Sequence, residues 1–412
     1  MHEIWDGDNL SVMPALDRQI DLILTDPPYN TGEDLRYNDS RHTAWLDFMA
    51  PRIQMMREML KPTGILAVCI DHRELFRLGL LLDEVLGEAN RLAIINWQKS
   101  SAPRSDNEHV STSTEYVLVY AKDLTRARTA SLERSASDNA RYSNPDRDPR
   151  GDWREGNLTA RSYAAKDDYA IQSPFTGALH YPAGHGAWRH PKKHIMRWLT
   201  EWGTSYQECD IGDARRPALM VTGDLVSVAR LDETRWPFVW FGRDGQGRPR
   251  VKTYLAELRK GKVPVTYWAA ESFYSTSWGF RESGRTNDGI AELTAIVGRG
   301  HRFTTVKPLK LFKKIIQLWC PPDGIVLDPF AGSGTTAHAT LELNAEQDVS
   351  RRFILIEQGN TETGDRYATT LTAERIRRVI TGEWASSARP PLHGAFRVRQ
   401  LPPLAALGRP GC

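Results

Sequence analysis

The chain has 412 residues, 40% of them hydrophobic, so it is long enough for one large domain or two to three modules with a sizeable core. Its formal net charge of +3 excludes a globally basic protein and leaves the binding of polyanions to local clusters of Lys and Arg. The four cysteines form no C-x-x-C pair, and no run of about 18 apolar residues occurs. These features argue against a disulfide framework or a membrane span and predict a cytoplasmic protein.

Up to about residue 122, short apolar runs alternate with amphipathic stretches. Four runs predict buried strands: IDLILTD (20–26), GILAVCI (64–70), RLAIINW (91–97) and EYVLVYA (115–121). Helices are predicted over about 43–60 and 73–87. This alternation favours an α/β fold with a parallel, doubly wound sheet.

The rhythm breaks over 123–300, where polar, Arg-rich sequence alternates with aromatic clusters such as WPFVWFG (236–242). It returns after 301, in the order helix (about 307–319), strand (324–328), helix (about 334–344), strand (352–357) and helix (about 367–381). Residues 386–412 are rich in Pro and Arg and predict little regular structure. We therefore predict one α/β domain, formed by 1–122 and 301–385, with an insert over 123–300.

The stretch TDPPYNTG (25–32) follows the first predicted strand. Two consecutive prolines stiffen the exit from the strand and are expected to leave two free carbonyl groups, with no neighbouring N–H groups to occupy them. Asp26, the carbonyl groups of Pro27 and Pro28, and the Tyr29 ring are expected to project from one rigid corner. This combination suits a flat ligand that bears an amine.

A glycine loop, LDPFAGSGTTAHAT (327–340), follows a later strand and opens a helix. Its Gly332-x-Gly334 pattern, with Glu357 after the next strand, also fits a dinucleotide-binding dehydrogenase. However, Asp328 places a negative charge where a pyrophosphate would approach. S-adenosylmethionine suits the loop better, because its ammonium can pair with Asp328 and its ribose diol with Glu357.

Taken together, these motifs resemble the β-class N6-adenine/N4-cytosine DNA methyltransferases, in which the DPPY segment precedes the glycine loop. More narrowly, the chain resembles the Mod subunits of type III restriction–modification systems. The residues that carry this resemblance are GDNLSVMPAL (7–16), DPPYNTG, WPFVWFG, FTTVKPLKLFKKII (303–316), GTTAHATLELNAEQDVSRRFILIEQ (334–358) and TAERIRRVITG (372–382). The resemblance implies a circularly permuted, Rossmann-like S-adenosylmethionine-dependent methyltransferase fold with an inserted target-recognition domain.

The resemblance also implies the reaction, in which the catalytic residues are Asp26, Pro27, Pro28 and Tyr29. Hydrogen bonds accepted by Asp26 and the Pro27 carbonyl would pull the amine protons out of plane, so that the nitrogen lone pair attacks the methyl group. Tyr29 would stack on a base flipped out of the duplex. Cys320-Pro321 reverses the Pro-Cys order of 5-methylcytosine enzymes, and we interpret Cys320 as structural.

The predicted cofactor site combines the glycine loop with residues from both ends of the chain. Its members are Asp8, Asn9, Asp26, Lys307, Asp328, Phe330, Ala331, Gly332, Ser333, Gly334, Thr335 and Glu357. By resemblance, Asp8 and Asn9 lie near the adenine of the cofactor and Lys307 near its methionine end. Two alternatives stay open, a helix N-cap for Asp8-Asn9 and a solvated helix start for Lys307.

Two basic stretches are candidate contacts to double-stranded DNA. HYPAGHGAWRHPKKHIMRW (180–198) supplies Arg189, Lys192, Lys193 and Arg197, and QKSSAPRSDNEHVSTST (98–114) supplies Lys99 and Arg104. A metal site at His190 and His194 is the alternative for the first stretch, although zinc sites normally add Cys or acidic ligands. A plain surface loop is the alternative for the second.

The sequence thus predicts a DNA adenine-N6 methyltransferase, because aspartate at the first position of DPPY favours adenine over cytosine. The rival hypotheses are a cytosine-N4 methyltransferase and a catalytically silent DNA-binding specificity subunit. Glutamine methyltransferases of proteins share a related Asn-Pro-Pro-Tyr motif, but they place the glycine loop first and lack this insert. The resemblance further implies a homodimer and a restriction or phage-defence system.

Overall fold

A computed structural model describes most of the chain. The described residues are 1–16, 19–30, 42–100, 109–132, 134, 136–227, 236–242, 244–258, 261, 263–270, 282–301, 303–359 and 364–401. The described strands are β1 His2–Asp6, β2 Ile20–Thr25, β3 Leu60–Ile70, β4 Arg91–Gln98, β5 Thr114–Ala121, β6 Trp153–Asn157, β7 Thr159–Ala160, β8 Tyr169–Gln172, β9 Leu179–His180, β10 Ala187–Trp188, β11 Tyr206–Cys209, β12 Arg216–Val221, β13 Val239–Trp240, β14 Arg250–Tyr254, β15 Tyr267–Trp268, β16 Ile325–Asp328, β17 Arg352–Glu357 and β18 Phe396–Gln400. The described helices are α1 Asn9–Val12, α2 His42–Met59, α3 Leu75–Leu86, α4 Ala136–Asn139, α5 Lys192–Thr200, α6 Thr286–Val297, α7 Leu309–Trp319, α8 Thr335–Gln347 and α9 Ala373–Thr381.

The chain forms two compact units, one from Met1–Leu132 with Val263–Cys412 and the other from Glu133–Lys262. Residues 263–300, which the sequence rhythm groups with the insert, therefore lie in the first unit. There β15 pairs in parallel with β4, and α6 packs against α9. Polar and aromatic sequence gives no local sign of these long-range pairings, which explains the difference from the predicted boundary at 300/301.

The first unit is organised around a nine-stranded sheet in the order β15-β4-β5-β3-β2-β16-β17-β1-β18. Strand β2 from the first half of the sequence pairs in parallel with β16 from the second half, with Ile23 opposite Leu327. This pairing closes one domain from two distant segments and confirms the predicted Rossmann-like α/β fold. It also aligns the carboxyl ends of β2 and β16, where ligands bind in open α/β sheets.

Both faces of this sheet are covered by helices. Leu22 and Leu24 of β2 pack with the buried face of α7, whereas Ile23 packs on the other side with residues of α2 and α3. This alternation follows from the two-residue period of a strand. An interior strand covered on both faces reads as a continuous apolar run, which is why the sequence predicts it.

The strands differ from the predicted parallel arrangement at β5, which is antiparallel to both β3 and β4. The sequence between β4 and β5 lacks the apolar periodicity of a crossover helix, and only an antiparallel neighbour can follow without one. The two edge strands of this sheet, β15 and β18, were not predicted. β18, in the Pro/Arg-rich tail, pairs in parallel with β1 at the amino terminus.

The second unit contains two helices and three small sheets among its described residues, in the orders β10-β7, β11-β12-β8-β9 and β13-β14-β6. Its core is rich in aromatic side chains, including Trp153, Tyr169, Trp188, Trp202 and Trp240. The aromatic clusters in this part of the sequence therefore build the core of the unit. None of the helices in the described part of the chain is long and apolar enough to cross a membrane.

Candidate active site

Three neighbouring strands of the large sheet end in acidic residues. Asp26 directly follows β2, Asp328 closes β16 and Glu357 closes β17, and the strand order β2-β16-β17 places these ends side by side. The two sequence motifs, DPPY and the glycine loop, are about 300 residues apart in the chain. The fold brings them to one edge of the sheet.

The Asp26 carboxylate is held by two donors from different segments. Lys307 Nζ donates to both carboxylate oxygens, at 2.9 and 2.8 Å, and Tyr29 Oη donates to Oδ1 at 2.7 Å. The ammonium also lies 4.7 Å from the centroid of the Tyr29 ring. Lys307 is 8% exposed, so it is not a solvated helix start.

The two proline carbonyls differ in what they contact. The Pro28 carbonyl accepts a hydrogen bond from Trp45 Nε1 at 2.7 Å, which corrects the expectation that both carbonyls are free. Within the described part of the chain, no hydrogen bond reaches the Pro27 carbonyl. Of the pair, Pro27 therefore keeps the acceptor that an incoming amine could use.

The turn after the tetrapeptide has an unusual backbone conformation. Asn30 has φ of +56°, in the left-handed region that few residues other than glycine adopt. Its side-chain amide donates to Glu74 Oε1 at 2.8 Å, and Glu74 is completely buried. The sequence analysis missed Glu74, whose only sign is its position just beyond a buried strand.

A second buried carboxylate stands beside Asp26. Glu115 Oε2 lies 3.4 Å from Lys307 Nζ and 3.4 Å from Tyr29 Oη, while Oε1 accepts from Lys99 Nζ at 3.1 Å. The sequence analysis assigned Lys99 to DNA contact and missed Glu115. The one signal for Glu115 was an acid at the start of the otherwise apolar strand EYVLVYA.

Charge in this cluster is stabilised by pairing. Burial opposes the charge on Lys307, but Asp26 and Glu115 outweigh it and raise the pKa of Lys307 above its ordinary value. Burial likewise opposes charge on Glu115, and Lys307 and Lys99 lower its pKa overall. The pKa of Tyr29 is raised by burial and by both carboxylates, so its hydroxyl stays protonated and remains a donor.

Several backbone N–H groups of the glycine loop donate hydrogen bonds within the protein. Gly332 N donates to Glu357 Oε2 at 2.7 Å, Gly334 N to Ala331 O at 2.8 Å, and Phe330 N to Asp328 Oδ1 at 3.1 Å. Gly332 and Gly334 have φ of +48° and +81°, in the left-handed region that favours glycine. A pyrophosphate bound by backbone amides would need these donors, so the dehydrogenase alternative loses its anion site.

Asp328 is buried among neutral donors. It is 2% exposed and accepts hydrogen bonds from Phe330 N and from the Thr336 hydroxyl. Burial raises its pKa to about 7 in spite of these hydrogen bonds. Glu357 is 4% exposed, and its Oε1 accepts from Gly359 N at 3.0 Å.

A buried guanidinium supports the glycine loop from behind. Arg375 donates to the hydroxyls of Ser333 at 3.1 Å and Thr335 at 2.8 Å, and pairs with Glu292 at 3.1 Å. Arg375 is fully buried. The hydroxyls of Ser333 and Thr335 are therefore engaged with the protein, and Arg375 is a residue of the site that sequence analysis missed.

Asp8 and Asn9 lie against the same loop. Asn9 Nδ2 donates to Pro329 O at 2.8 Å, while the buried Arg52 donates to Asn9 Oδ1 at 2.7 Å and to Asp8 Oδ1 at 2.8 Å. Asp8 occupies the N-cap position of α1, but its side chain makes no capping hydrogen bond. The N-cap alternative therefore holds for the position of Asp8 in the chain, whereas its side chain pairs with Arg52 and does not cap the helix. Arg52 was missed.

The basic residues predicted to contact DNA fall into four groups, the first of which is Lys99, paired with Glu115 in the active-site cluster. Arg189, Lys193 and Arg197 are exposed in the second unit, at or just before α5. Lys192 instead donates to Glu208 Oε2 at 3.0 Å and lies 4.5 Å from the centroid of the Tyr169 ring. Arg104 lies outside the described residues.

The histidines of this stretch pack on an aromatic ring. The ring centroids of His190 and His194 lie 5.0 and 6.2 Å from that of Trp198. In the part of the chain that the structure describes, no group of three or more His, Cys, Asp or Glu side chains is arranged to hold a metal ion. Cys320 is buried at the end of α7, where burial raises its pKa to about 12, so it is a poor nucleophile.

Comparison with known proteins gives matches over most of the chain. A family model described as DNA methylase matches residues 20–363. The Mod subunit of the type III restriction–modification enzyme StyLTI from Salmonella typhimurium is 31% identical over 90% of this chain and 56% of that protein. The type II methyltransferase M.KpnI from Klebsiella pneumoniae is 30% identical over 87% of this chain and 81% of that protein.

Among solved structures, the cytosine-N4-specific PvuII DNA methyltransferase has a TM-score of 0.42 at 13% identity, covering 91% of this chain and 86% of that one. The chain spans only 56% of the StyLTI Mod subunit and 58% of the EcoP15I Mod subunit of Escherichia coli.

Proposed function

The chain belongs to the DNA methylase family, and from this membership and the geometry of its active site we propose that it transfers a methyl group to an exocyclic amine of a DNA base. The preferred target is N6 of adenine and the methyl donor is S-adenosylmethionine. The observation that carries the proposal is the convergence of Asp26, the Pro27 carbonyl and the glycine loop with Asp328 and Glu357 at one edge of the sheet.

The residues of this chain fit such a methyl donor. Asp328 is a buried carboxylate with only neutral hydrogen-bond partners among the described residues, which suits the ammonium of an amino acid. Glu357 closes the neighbouring strand, and its carboxylate is the acceptor that we propose for a ribose diol. When bound, the donor supplies an electrophilic methyl group on a sulfonium.

Catalysis by the protein itself is then mostly positioning. Asp26 and the Pro27 carbonyl would each accept a hydrogen bond from the target amine, which localises the nitrogen lone pair. The nitrogen–carbon bond forms as the carbon–sulfur bond breaks and its electron pair stays on sulfur. The nitrogen then loses one proton by way of Asp26 to water, and no covalent enzyme intermediate is needed.

The second unit is proposed as the target-recognition domain. Its exposed Arg189, Lys193 and Arg197 offer cations to DNA phosphates, as this class of contact requires. The reacting base must leave the duplex to reach Asp26, and Tyr29 would stack on it.

For the wider system we propose a homodimer in the cytoplasm that serves restriction–modification or phage defence. The Mod and type II methyltransferase relatives support this setting. Sedimentation of the purified protein tests the oligomeric state. A monomer at assay concentrations would contradict the proposed homodimer.

The test is transfer of labelled methyl groups to unmethylated genomic DNA, followed by digestion to nucleosides and mass analysis. N6-methyladenine that is absent with Asp26→Ala is the expected result. N4-methylcytosine would keep the mechanism and overturn the base assignment. Binding of S-adenosylmethionine without any product would favour a silent specificity subunit.

A further inference from the structure

The cluster around Asp26 contains more donors than the proposed reaction uses. Lys307 places one hydrogen bond on each oxygen of Asp26, and Tyr29 adds a third. A carboxylate offers about four lone-pair sites, so one remains for an incoming amine. An ion-paired carboxylate also attracts a neutral amine less strongly than an unpaired one, because its charge is already compensated.

Glu115 offers a second acceptor to both of these donors. A single atom, Oε2, stands 3.4 Å from Lys307 Nζ and 3.4 Å from Tyr29 Oη. Both distances exceed the usual hydrogen-bond range, about 2.7–3.2 Å from a nitrogen donor and about 2.5–3.0 Å from a hydroxyl, so a shift of well under about 1 Å by either donor would convert the contact into a normal one.

The acceptor, the Glu115 carboxylate, is held in place, whereas the donor atoms of Lys307 and Tyr29 lie at the ends of longer side chains. Glu115 belongs to β5, an interior strand paired with β3 and β4, and its other oxygen is held by Lys99 at 3.1 Å. Lys307 carries a four-carbon side chain with rotatable bonds. The four charged groups, Asp26, Glu115, Lys99 and Lys307, balance to zero, so moving Lys307 toward Glu115 leaves the net charge of the cluster unchanged while Asp26 loses its direct ion pair.

We infer that Glu115 is a positioning residue that shares Lys307 and Tyr29 with Asp26 and so frees Asp26 to accept the target amine. This inference rests on the proposed function. It also moves Lys99 from the DNA-contact group into the active-site cluster, since its ammonium orients Glu115.

The test compares Glu115→Gln with Glu342→Gln, a control that likewise removes a carboxylate from a lysine, here the partly buried Glu342 from Lys313 at 2.8 Å. Steady-state and single-turnover methyl transfer are measured for both. We expect Glu115→Gln to lower kcat by about 10- to 100-fold while KM for DNA and for S-adenosylmethionine stays within about threefold. Glu342→Gln should keep wild-type kcat.

A double variant separates positioning from charge balance. Glu115→Gln with Lys99→Gln removes one anion and one cation, so the net charge of the cluster is restored while the acceptor near Lys307 is still weakened. Continued loss of kcat supports the inference, and recovery overturns it. Wild-type kcat in Glu115→Gln overturns it too and leaves the proposed function intact. An inactive wild type would count against both.

Discussion

Two acids at adjacent strand ends meet opposite surroundings. Asp26 carries its own cation, because Lys307 binds both of its oxygens. Asp328 lies one strand away, and among the described residues no cationic side chain pairs with it. Under the proposed function this difference assigns a ligand to each acid, because the ammonium of the methyl donor would pair with Asp328, whereas Asp26 would need only a neutral amine.

The largest expected effect is that of Asp26→Asn, which keeps the shape of the side chain and removes its charge. The amide cannot accept from the target amine as strongly, so kcat should fall by about 10² to 10³. Cofactor affinity, measured by calorimetry, should stay within about threefold. If Asp26→Asn mainly weakened cofactor binding, Asp26 and Asp328 would not differ in role as proposed.

Asp328 should instead control binding of the methyl donor in a pH-dependent way. With a pKa of about 7 in the free protein, its carboxyl must lose a proton before it can pair with an ammonium. Affinity should therefore rise with pH, by about tenfold between pH 6 and pH 8, with close to one proton released at pH 6.

Asp328→Asn should weaken binding at pH 8 by about 10- to 100-fold and flatten this pH dependence. The raised pKa has a second consequence for the unliganded protein. A carboxyl whose pKa is higher in the folded state stabilises the fold at acidic pH and loses this contribution as pH rises toward 7. The midpoint of thermal unfolding should thus decline less steeply between pH 5 and pH 8 in Asp328→Asn than in the wild type. Equal slopes would contradict the raised pKa of Asp328.

The turn after DPPY tests how firmly the Asp26 side of the site is held. Asn30→Gly and Asn30→Ala both remove the hydrogen bond to Glu74, but alanine also resists a φ of +56°. We expect kcat to fall about tenfold in Asn30→Ala and less in Asn30→Gly, with unfolding free energies about 1 kcal/mol apart. Equal values for the two variants would show that the left-handed backbone is not maintained.

The two acids also show which site residues can be predicted from the sequence alone. The motifs predicted Asp26 and Asp328, because prolines and glycines at strand ends leave a local signature. They could not predict Arg375, Arg52 or Glu115, each of which contacts a site residue 40 or more positions away in the chain. Such residues look like ordinary helix or strand members until the fold places them.

The fold followed the same rule. Interior strands such as β2 were predicted because their burial on both faces makes a continuous apolar run. Strand β18 was missed, because its short, mostly exposed sequence FRVRQ has only two apolar residues within a Pro/Arg-rich tail, and its pairing with β1 defines it. The antiparallel direction of β5 likewise depends on tertiary pairing.

The smallest effects are expected in the second unit, where the basic residues divide into exposed and engaged ones. Arg197 is exposed, whereas Lys192 is paired with Glu208 and covered by Tyr169. Arg197→Gln should weaken binding to DNA by a few-fold, about equally for all sequences, and reduce the slope of log K against log salt by about 0.9 if it contacts one phosphate.

Lys192→Gln is the matched control, because it removes the same charge from a side chain that already has an acidic partner. Its salt slope should equal that of the wild type in fluorescence anisotropy at several salt concentrations. A slope that changes in Lys192→Gln and not in Arg197→Gln would mean that the exposed residues do not face DNA. The Lys192–Glu208 pair would then have to open on binding, because only a released ammonium can displace counterions from a phosphate.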